Sequence, residues 1–394
     1  MGLNYIDDAD FQEKKVIARF DFNVPLKEGK ILDTTRIDAA LPTIKKILEG
    51  GATHLILMSH LGRPKGRRNN DLSLLPVAEY LAEQLNEDVL LTESALDRGI
   101  KTIIKLKKNK ILLLENLRFH PEEEAGCKEF AKSLSDYADL YVNDAFGTAH
   151  RKHASTYHIN TYFKNKSYGG YLLKNEISAL NNVVDRPKSP FVAIVGGAKV
   201  SDKIKIIDRL LSSVESLIIG GAMAYPFLKA KGHGIGTSLC SEEDVKLAKK
   251  ILKQSFGMKI LLPLDHITSL EFAGSPIVYN DVNIPDDQMG LDIGPKSVEY
   301  FKTKIQSAKT ILWNGPMGLF EYDEFSKGTF DIANALAESN AYTLVGGGDS
   351  VSAINKTGLS EKMSHVSTGG GASLEFIENG TLPGIDALKF GINL

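Results

Sequence analysis

Short apolar, β-branched runs alternate with amphipathic segments along the whole chain, and this alternation restricts the fold more than any other feature. Runs that are apolar at consecutive positions suit strands buried on both faces, and the amphipathic segments between them supply the crossover helices that parallel neighbours need. The first half carries such runs at Lys15–Phe20, His54–Met58, Val89–Leu91, Ile111–Leu114 and Leu140–Val142. The second half carries them at Phe191–Val195, Ser216–Ile219, Ile260–Leu262, Thr310–Leu312, Tyr342–Val345 and His365–Val366. A chain of 394 residues exceeds one core of usual size. The expected fold is therefore α/β, with two doubly wound parallel-sheet (Rossmann-like) domains. The stretch GGYLLKNEISALNNVV predicts a helix, and the breakers from Asp185 to Pro190 follow it, so a helical hinge is expected at 169–190. The first domain is expected over 1–168, with the C-terminal tail 383–394 docked onto it, and the second over 191–375.

Charge removes one class of function. Lys plus Arg total 47 against 49 acidic residues, a formal charge of −2, so no dedicated nucleic-acid partner is expected and any anion site must be local. Cys127 and Cys240 stand far apart, without disulfide-framework or zinc-ligand spacing. The opening MGLNYIDDAD has acids where a signal peptide is basic, and Ile6 stands where a myristoylation motif has Ser or Thr. No apolar run approaches the ~20 residues of a membrane span. These features predict a cytoplasmic protein without a membrane partner. No long apolar stripe lacks an internal partner, which predicts a monomer.

In open parallel sheets, ligands bind beyond the carboxyl ends of the strands. In the first half those ends lead into polar and basic groups: Asp21-Phe22-Asn23, Ser59-His60-Leu61-Gly62-Arg63, Glu115-Asn116-Leu117-Arg118, and Asn143-Asp144 running on to His150-Arg151. In the second half they lead into glycines, at Gly196-Gly197, Gly220-Gly221, Gly315, Gly346 to Gly348 and Gly369 to Gly371. The first pattern suits side chains closing on a compact anion. The second lets backbone approach something larger.

Arg36, Arg63, Arg118 and Arg151 lie on separate loops of the first half, and guanidinium forks match carboxylate and phosphate oxygens. Each alone reads as a surface residue; four facing one crevice require a small ligand with more than one negative group. Lys65, Arg67 and Arg68 read as surface. In GGAKVSDKIKIIDRLL, a Gly pair precedes Lys199 and a helix expected to begin near Ser201-Asp202, with Lys203 in its first turn. Helix-start amides and a mobile lysine charge suit a phosphate, and a helix capped by Asp202 with solvated lysines fits the same residues. The segments LVGGGDSVSAINK and STGGGASLEFIENG repeat a strand, three glycines, a hydroxyl residue and a helix. Singly, each reads equally as a tight turn; on adjacent strands, the pair points to a nucleotide. Asp349 reads as a magnesium ligand or a helix N-cap. No G-x-x-x-x-G-K-[ST] occurs, and the Gly232 to Gly236 stretch, with a misplaced third glycine, reads as a loop. His60, His120, His150 and His153 lack the spacing of a helical zinc pair and read as anion donors or surface residues.

Together the segments RFDFNVP, SHLGRP, LLLENLRFH, NDAFGTAHR, VGGAKVSDKI, LDIGP, LWNGPMGLFE, GGGDS and STGGGASLE resemble those of the phosphoglycerate kinase family, in order from residue 19 to residue 375. The resemblance implies transfer of the acyl phosphate of 1,3-bisphosphoglycerate to MgADP, giving 3-phosphoglycerate and ATP, and the reverse, with the site in a cleft that closes about the hinge. It implies that Asp21, Phe22, Asn23, Ser59, His60, Leu61, Gly62, Arg63, Arg118 and Arg151 hold the glycerate, with Arg36 at its carboxyl end. It implies nucleotide contacts from Lys199, Lys203, Gly221, Asn314, Glu321 (to the ribose), Gly347, Gly348, Asp349 and Ser350, with Asp349 on Mg2+. Arg36, Lys199, Thr368, Gly369 and Gly370 would serve the transferring group. Pro226, after Ala-Met-Ala-Tyr, departs from the family pattern.

The chemistry agrees with this. A carboxylate acceptor is already ionised at neutral pH, so no general base is required and none stands out. Three rivals stay open on residues alone. A kinase for another small acid would leave the four arginines underused, and an idle nucleotide-binding module would have no use for Arg36 with Lys199. A dehydrogenase lacks its G-x-G-x-x-G with a downstream acid.

Overall fold

The computed structural model describes residues 2–106 and 110–390. Residues up to Ser178, with the tail from Thr381, form one compact unit, and Ala179–Gly380 form the other. The division falls inside the helix Tyr171–Val184. Of the first domain and tail expected from sequence, Met1, 107–109 and 391–394 lie outside the described residues.

The first unit contains strands β1 (Lys15–Arg19), β2 (Leu26–Lys27), β3 (Lys30–Ile31), β4 (His54–Met58), β5 (Val89–Leu91), β6 (Ile111–Leu113), β7 (Leu140–Asn143) and β8 (Ser167–Gly169). Six of them form a parallel sheet in the order β5-β6-β4-β1-β7-β8, while β2 and β3 pair as an antiparallel hairpin. Every residue of β4 is buried, and so is β1 beyond Lys15, which is why these strands read as unbroken apolar runs. Ile37, Ile44 and Ile47 of the helix Thr35–Glu49 and Val77 and Leu81 of the helix Leu75–Leu85 join Val16, Ala18, Leu55 and Leu57 in one cluster. Each of these valine, leucine and isoleucine side chains contributes about 1.5–3 kcal/mol by leaving water. The strand order reverses at β1, with β4 on one side and β7 on the other, and a crevice for ligand opens at such a reversal.

The second unit contains β9 (Phe191–Val195), β10 (Ser216–Ile219), β11 (Ile260–Leu261), β12 (His266–Ser269), β13 (Ile277–Tyr279), β14 (Met289–Ile293), β15 (Thr310–Asn314), β16 (Tyr342–Val345) and β17 (His365–Val366). Its parallel sheet runs β11-β10-β9-β15-β16-β17, the order of a dinucleotide-type doubly wound sheet, and it reverses at β9. A core of Ile194, Ile311, Trp313, Phe301, Ile305, Ile332, Leu336 and Ile354 packs between sheet and helices.

All eleven runs read from the sequence form strands, with ends shifted by a residue or two: Asn143 joins β7, and Trp313 and Asn314 join β15. The sequence reading missed β8, the β2-β3 hairpin and the separate antiparallel sheet β13-β12-β14. β8 is only Ser-Tyr-Gly, and β14 carries Gly290 and Asp292 where an apolar run would be sought. Residues 232–236 form a loop with a single bridge, Ile235 to Ile284.

The helix Tyr171–Val184 starts where Tyr171 N donates to Thr43 Oγ1 (2.9 Å) and Leu173 N donates to Asp144 Oδ1 (2.9 Å). The tail helix Pro383–Phe390 is held by Gly384 N donating to Ala149 O at 2.8 Å. Pro226 is buried near the start of the short helix Ala224–Ala230, where its missing N–H is tolerated.

Candidate active site

Beyond the carboxyl end of β1 the chain turns through Asp21 to Asn23, and hydrogen bonds tie this turn to the loop after β4. Phe22 N donates to Ser59 Oγ (2.8 Å), and Gly62 N donates to Asn23 Oδ1 (2.8 Å). Leu61 N donates to Asn116 Oδ1 (3.2 Å), which brings in the loop after β6. Asp21 Oδ2 accepts from Arg36 at 2.8 Å, and its Oδ1 accepts from Asn23 N at 3.2 Å. Arg118 is buried, and its Nη1 donates to Gly62 O at 2.9 Å. Its Nε lies 3.2 Å from Glu124 Oε1, close enough for an ion pair but outside hydrogen-bonding geometry.

Beneath this surface runs a buried polar chain. Arg19 ends β1, only 1% exposed; its Nη2 lies 3.1 Å from His60 Nδ1, its Nε donates to Ser155 Oγ at 2.9 Å, and its Nη1 donates to Phe20 O. Ser155 gives both its donors to Glu123, Oγ to Oε1 (2.6 Å) and N to Oε2 (3.0 Å). His153 Nδ1 lies 3.9 Å from the same carboxylate. Burial, reinforced by Arg19, Arg118 and Arg36, holds His60 well below the usual imidazole range, so its ring is neutral at pH 7. Burial pushes His153 down to about 3, and it raises Glu123 against the pull of Arg19.

The second unit gathers its groups at the reversal point of its sheet. Lys203 ends a single turn of 3-10 helix, Ser201–Lys203, that leads into the helix Ile204–Ser213. Its ammonium donates to Gly196 O (2.7 Å), Asn314 O (3.1 Å) and Asn314 Oδ1 (2.6 Å), using all three protons and joining the ends of β9 and β15. Burial pushes it down to about 8, against the opposing pull of Asp349 and Asp202. Asn314 Nδ2 donates to Gly346 O (2.7 Å), and Ser350 Oγ accepts from Gly315 N, so β16 is drawn into the same junction. A Cβ on Gly196 would come within 1.9 Å of Pro316 O, and Gly347, at φ 92°, would drive one against Asn314 Nδ2. Only glycine lets these backbones approach so closely.

The helices Gly348–Thr357 and Gly371–Asn379 begin just beyond β16 and β17, which pair directly, so both glycine triplets open from adjacent strands. Asp349 is exposed in the first turn of the first of these helices, while Gly347 occupies the N-cap. Among the described residues, no group of three or more His, Cys, Asp or Glu side chains could hold a metal ion.

A family model described as phosphoglycerate kinase matches residues 6–380. The chain belongs to the phosphoglycerate kinase family. It is 49% identical over 391 residues to the phosphoglycerate kinase of Clostridium tetani (98% of this chain, 97% of the relative), and 48% identical to that of Borrelia hermsii (99% and 100%). The solved structure of phosphoglycerate kinase from Coxiella burnetii superposes with a TM-score of 0.89 at 39% identity, covering 98% of this chain and 99% of that one. The Pyrococcus horikoshii structure does so with 0.84 at 32%, covering 99% of each.

Of the residues that the family resemblance implies, the structure gathers Asp21, Phe22, Asn23, Arg36, Ser59, His60, Leu61, Gly62 and Arg118 into one hydrogen-bonded region, with His60 tied in through its carbonyl, which accepts from Ser59 Oγ. Arg151, half-buried, donates from Nε to His150 Nε2 at 3.1 Å. Arg63 is exposed and makes no hydrogen bond or ion pair with the described residues. In the second unit Lys203, Asn314, Gly347 and Ser350 come together, whereas Lys199 and Glu321 are exposed without bonds to described residues. Gly221 N donates to Met317 O (2.9 Å), and Gly348 is exposed in open space. Gly369 N donates to Ser367 Oγ (3.2 Å) beside Thr368, and Gly370 at φ 54° precedes the helix Gly371–Asn379.

Lys203 stands in the first helical turn, as expected, but that turn is 3-10 and three acceptors hold its ammonium in place. One sequence expectation needs correction. The carboxylate that receives Ser201 N (2.8 Å) is that of Asp244, not Asp202. Sequence reasoning missed Arg19, Glu123 and Ser155 altogether. An arginine closing the apolar run KVIAR was the available signal for the first; Glu123, within Glu-Glu-Glu, gave none.

Proposed function

We propose that the chain transfers the acyl phosphate of 1,3-bisphosphoglycerate to MgADP, giving 3-phosphoglycerate and ATP, and runs the reverse reaction. Membership of the family over residues 6–380 is the observation that carries this reading. The first unit takes the glycerate and the second the nucleotide. Arg36, Arg63, Arg118 and Arg151 supply charge to the phosphate and carboxylate of the glycerate, and Asp21 and Asn23 orient it. The Gly346 to Gly348 loop receives the nucleotide phosphates beside the fixed charge of Lys203, and Glu321 the ribose. In the ATP-consuming direction a carboxylate oxygen attacks the γ-phosphorus and the bond to the β-phosphate oxygen breaks. No proton moves, so the protein's part is positioning and charge neutralisation by Arg36, Lys199 and the amides after Thr368.

Magnesium fits this site. Asp349 is an exposed carboxylate with no cluster of metal-ligating side chains around it among the described residues, and magnesium in nucleotide sites takes one or two carboxylates, its other positions going to phosphate and water. Asp349 would hold it, and the ion would offset charge on the phosphates. We place the protein in the cytoplasm, where free Cys127 and Cys240 stay reduced, and take it to act as a monomer.

Transfer requires the two ligands to meet, so we propose closure about the helix Tyr171–Val184 that also excludes water. Small-angle scattering should show a smaller radius of gyration with both ligands than with either alone; an unchanged radius contradicts closure. The reaction itself is tested by MgATP turnover with 3-phosphoglycerate, coupled to a dehydrogenase that consumes the acyl phosphate. Turnover that vanishes when either substrate is omitted is expected, and ATP binding without turnover would overturn the assignment.

A further inference from the structure

A guanidinium has donors only, so whichever nitrogen of a neighbouring imidazole it touches must be the acceptor. In this fold that nitrogen is Nδ1 of His60, 3.1 Å from Arg19 Nη2. We propose that Arg19 is a positioning residue for the glycerate pocket: its donation to His60 Nδ1 places the imidazole proton on Nε2, where an anionic oxygen of the substrate can accept it.

The guanidinium has little freedom to do otherwise. Nε is committed to Ser155 Oγ at 2.9 Å and Nη1 to Phe20 O. Ser155 in turn donates Oγ–H to Glu123 Oε1 (2.6 Å), which leaves its oxygen lone pair to accept from Arg19. Each bond in the chain from His60 to Glu123 therefore has only one allowed direction: Arg19 donates to His60 on one side and to Ser155 on the other, and Ser155 donates to Glu123. Its members are buried: Glu123 0% exposed, Ser155 0%, Arg19 1% and His60 4%. Reversing any one bond would strand a buried donor, which costs about 1–3 kcal/mol.

The far nitrogen is placed for use. His60 Nε2 makes no hydrogen bond with a described residue and is not sealed from solvent. Asp21, the carboxylate beside the ring, lies 3.9 Å from Nδ1 and is engaged by Arg36 instead. Surrounded by Arg19, Arg118 and Arg36, the buried ring is disfavoured as an imidazolium. A neutral imidazole with a fixed tautomer offers one donor to an anion at no reorganisation in the transition state.

This inference rests on the first unit being the glycerate site, but its first test does not. Nitrogen NMR of the His60 ring in the wild-type protein at pH 7, without ligand, should show a pyridine-type Nδ1 and a protonated Nε2. A protonated Nδ1, or an imidazolium, overturns the proposal whatever the enzyme's activity. In Arg19→Met the ring should show averaged tautomers, with KM for 3-phosphoglycerate raised about tenfold or more and KM for ATP unchanged; Arg19→Lys, keeping one donor, should restore the Nε2–H signature. An unchanged tautomer in folded Arg19→Met would sink the role. If Arg19→Met does not fold, Ser155→Ala keeps the guanidinium but loosens it, and the same tautomer averaging is expected there. Failure of the glycerate reading would appear separately, as a wild-type protein with the expected ring signals and no affinity for 3-phosphoglycerate.

Discussion

Both units reverse strand order at their first strand yet fill the reversal point differently. In the first, the crevice at β1 is walled by side chains: Asp21 with Arg36, His60 over Arg19, and Arg118 bridging to Gly62. In the second, backbone does most of the work. Gly196, Gly315 and Gly347 let the ends of β9, β15 and β16 crowd together, and one buried ammonium, Lys203, pins them. Convergent charged forks suit a compact ligand rich in negative groups. Bare main chain and helix starts suit a larger one that must lie along the sheet edge.

The most severe test of this contrast is Arg36→Ala. It should lower kcat by about 100-fold or more while the melting temperature and ADP affinity hold, because the Arg36 side chain is partly exposed and, among the described residues, is bonded only to Asp21. Retained turnover would remove side-chain charge from the account. Gly196→Ala should do the opposite. Its Cβ would collide with Pro316 O, so destabilisation of about 1–3 kcal/mol is expected in chemical denaturation, with affinity for 3-phosphoglycerate unchanged. A neutral outcome would show that backbone approach does not limit the second unit.

Smaller effects follow from pH. Burial pushes the Lys203 ammonium down to about 8, so affinity for ADP should weaken severalfold as pH rises through that value, while affinity for 3-phosphoglycerate does not follow the same curve. The second unit also buries Asp292, whose Oδ2 accepts from Gly328 N at 2.6 Å while Oδ1 has no partner, and burial pushes its carboxyl up to about 8. A raised carboxyl contributes stability that is fully present below the usual carboxylate range and lost as pH rises through about 8. Asp292→Asn should therefore flatten the fall in melting temperature between pH 5 and pH 8; an unaltered slope would place that loss elsewhere. Asp144 in the first unit, pushed up to about 7, supplies a similar but narrower window.

Much of this architecture was legible because parallel strands buried on both faces leave unbroken apolar runs, and because ligand-binding groups follow strand ends. The eleven runs, the helix from Tyr171 and the pairing of the two glycine triplets on β16 and β17 were all readable on those grounds. The antiparallel sheet was not, since strands as short as Ile277–Tyr279 carry no periodicity. Nor was the chain behind His60, since Glu123 and Ser155 are far from Arg19 in sequence and meet it only through folding. Spacing pointed to residues expected to face a ligand, not to the residues that hold those in place.

The division of labour is tested most directly by calorimetric titration of 3-phosphoglycerate and ADP into the wild type, Arg151→Ala and Lys203→Met. The account predicts that Arg151→Ala loses affinity for 3-phosphoglycerate alone and Lys203→Met for ADP alone. Loss of both ligands in each folded variant, or of the opposite ligand in either, would contradict it.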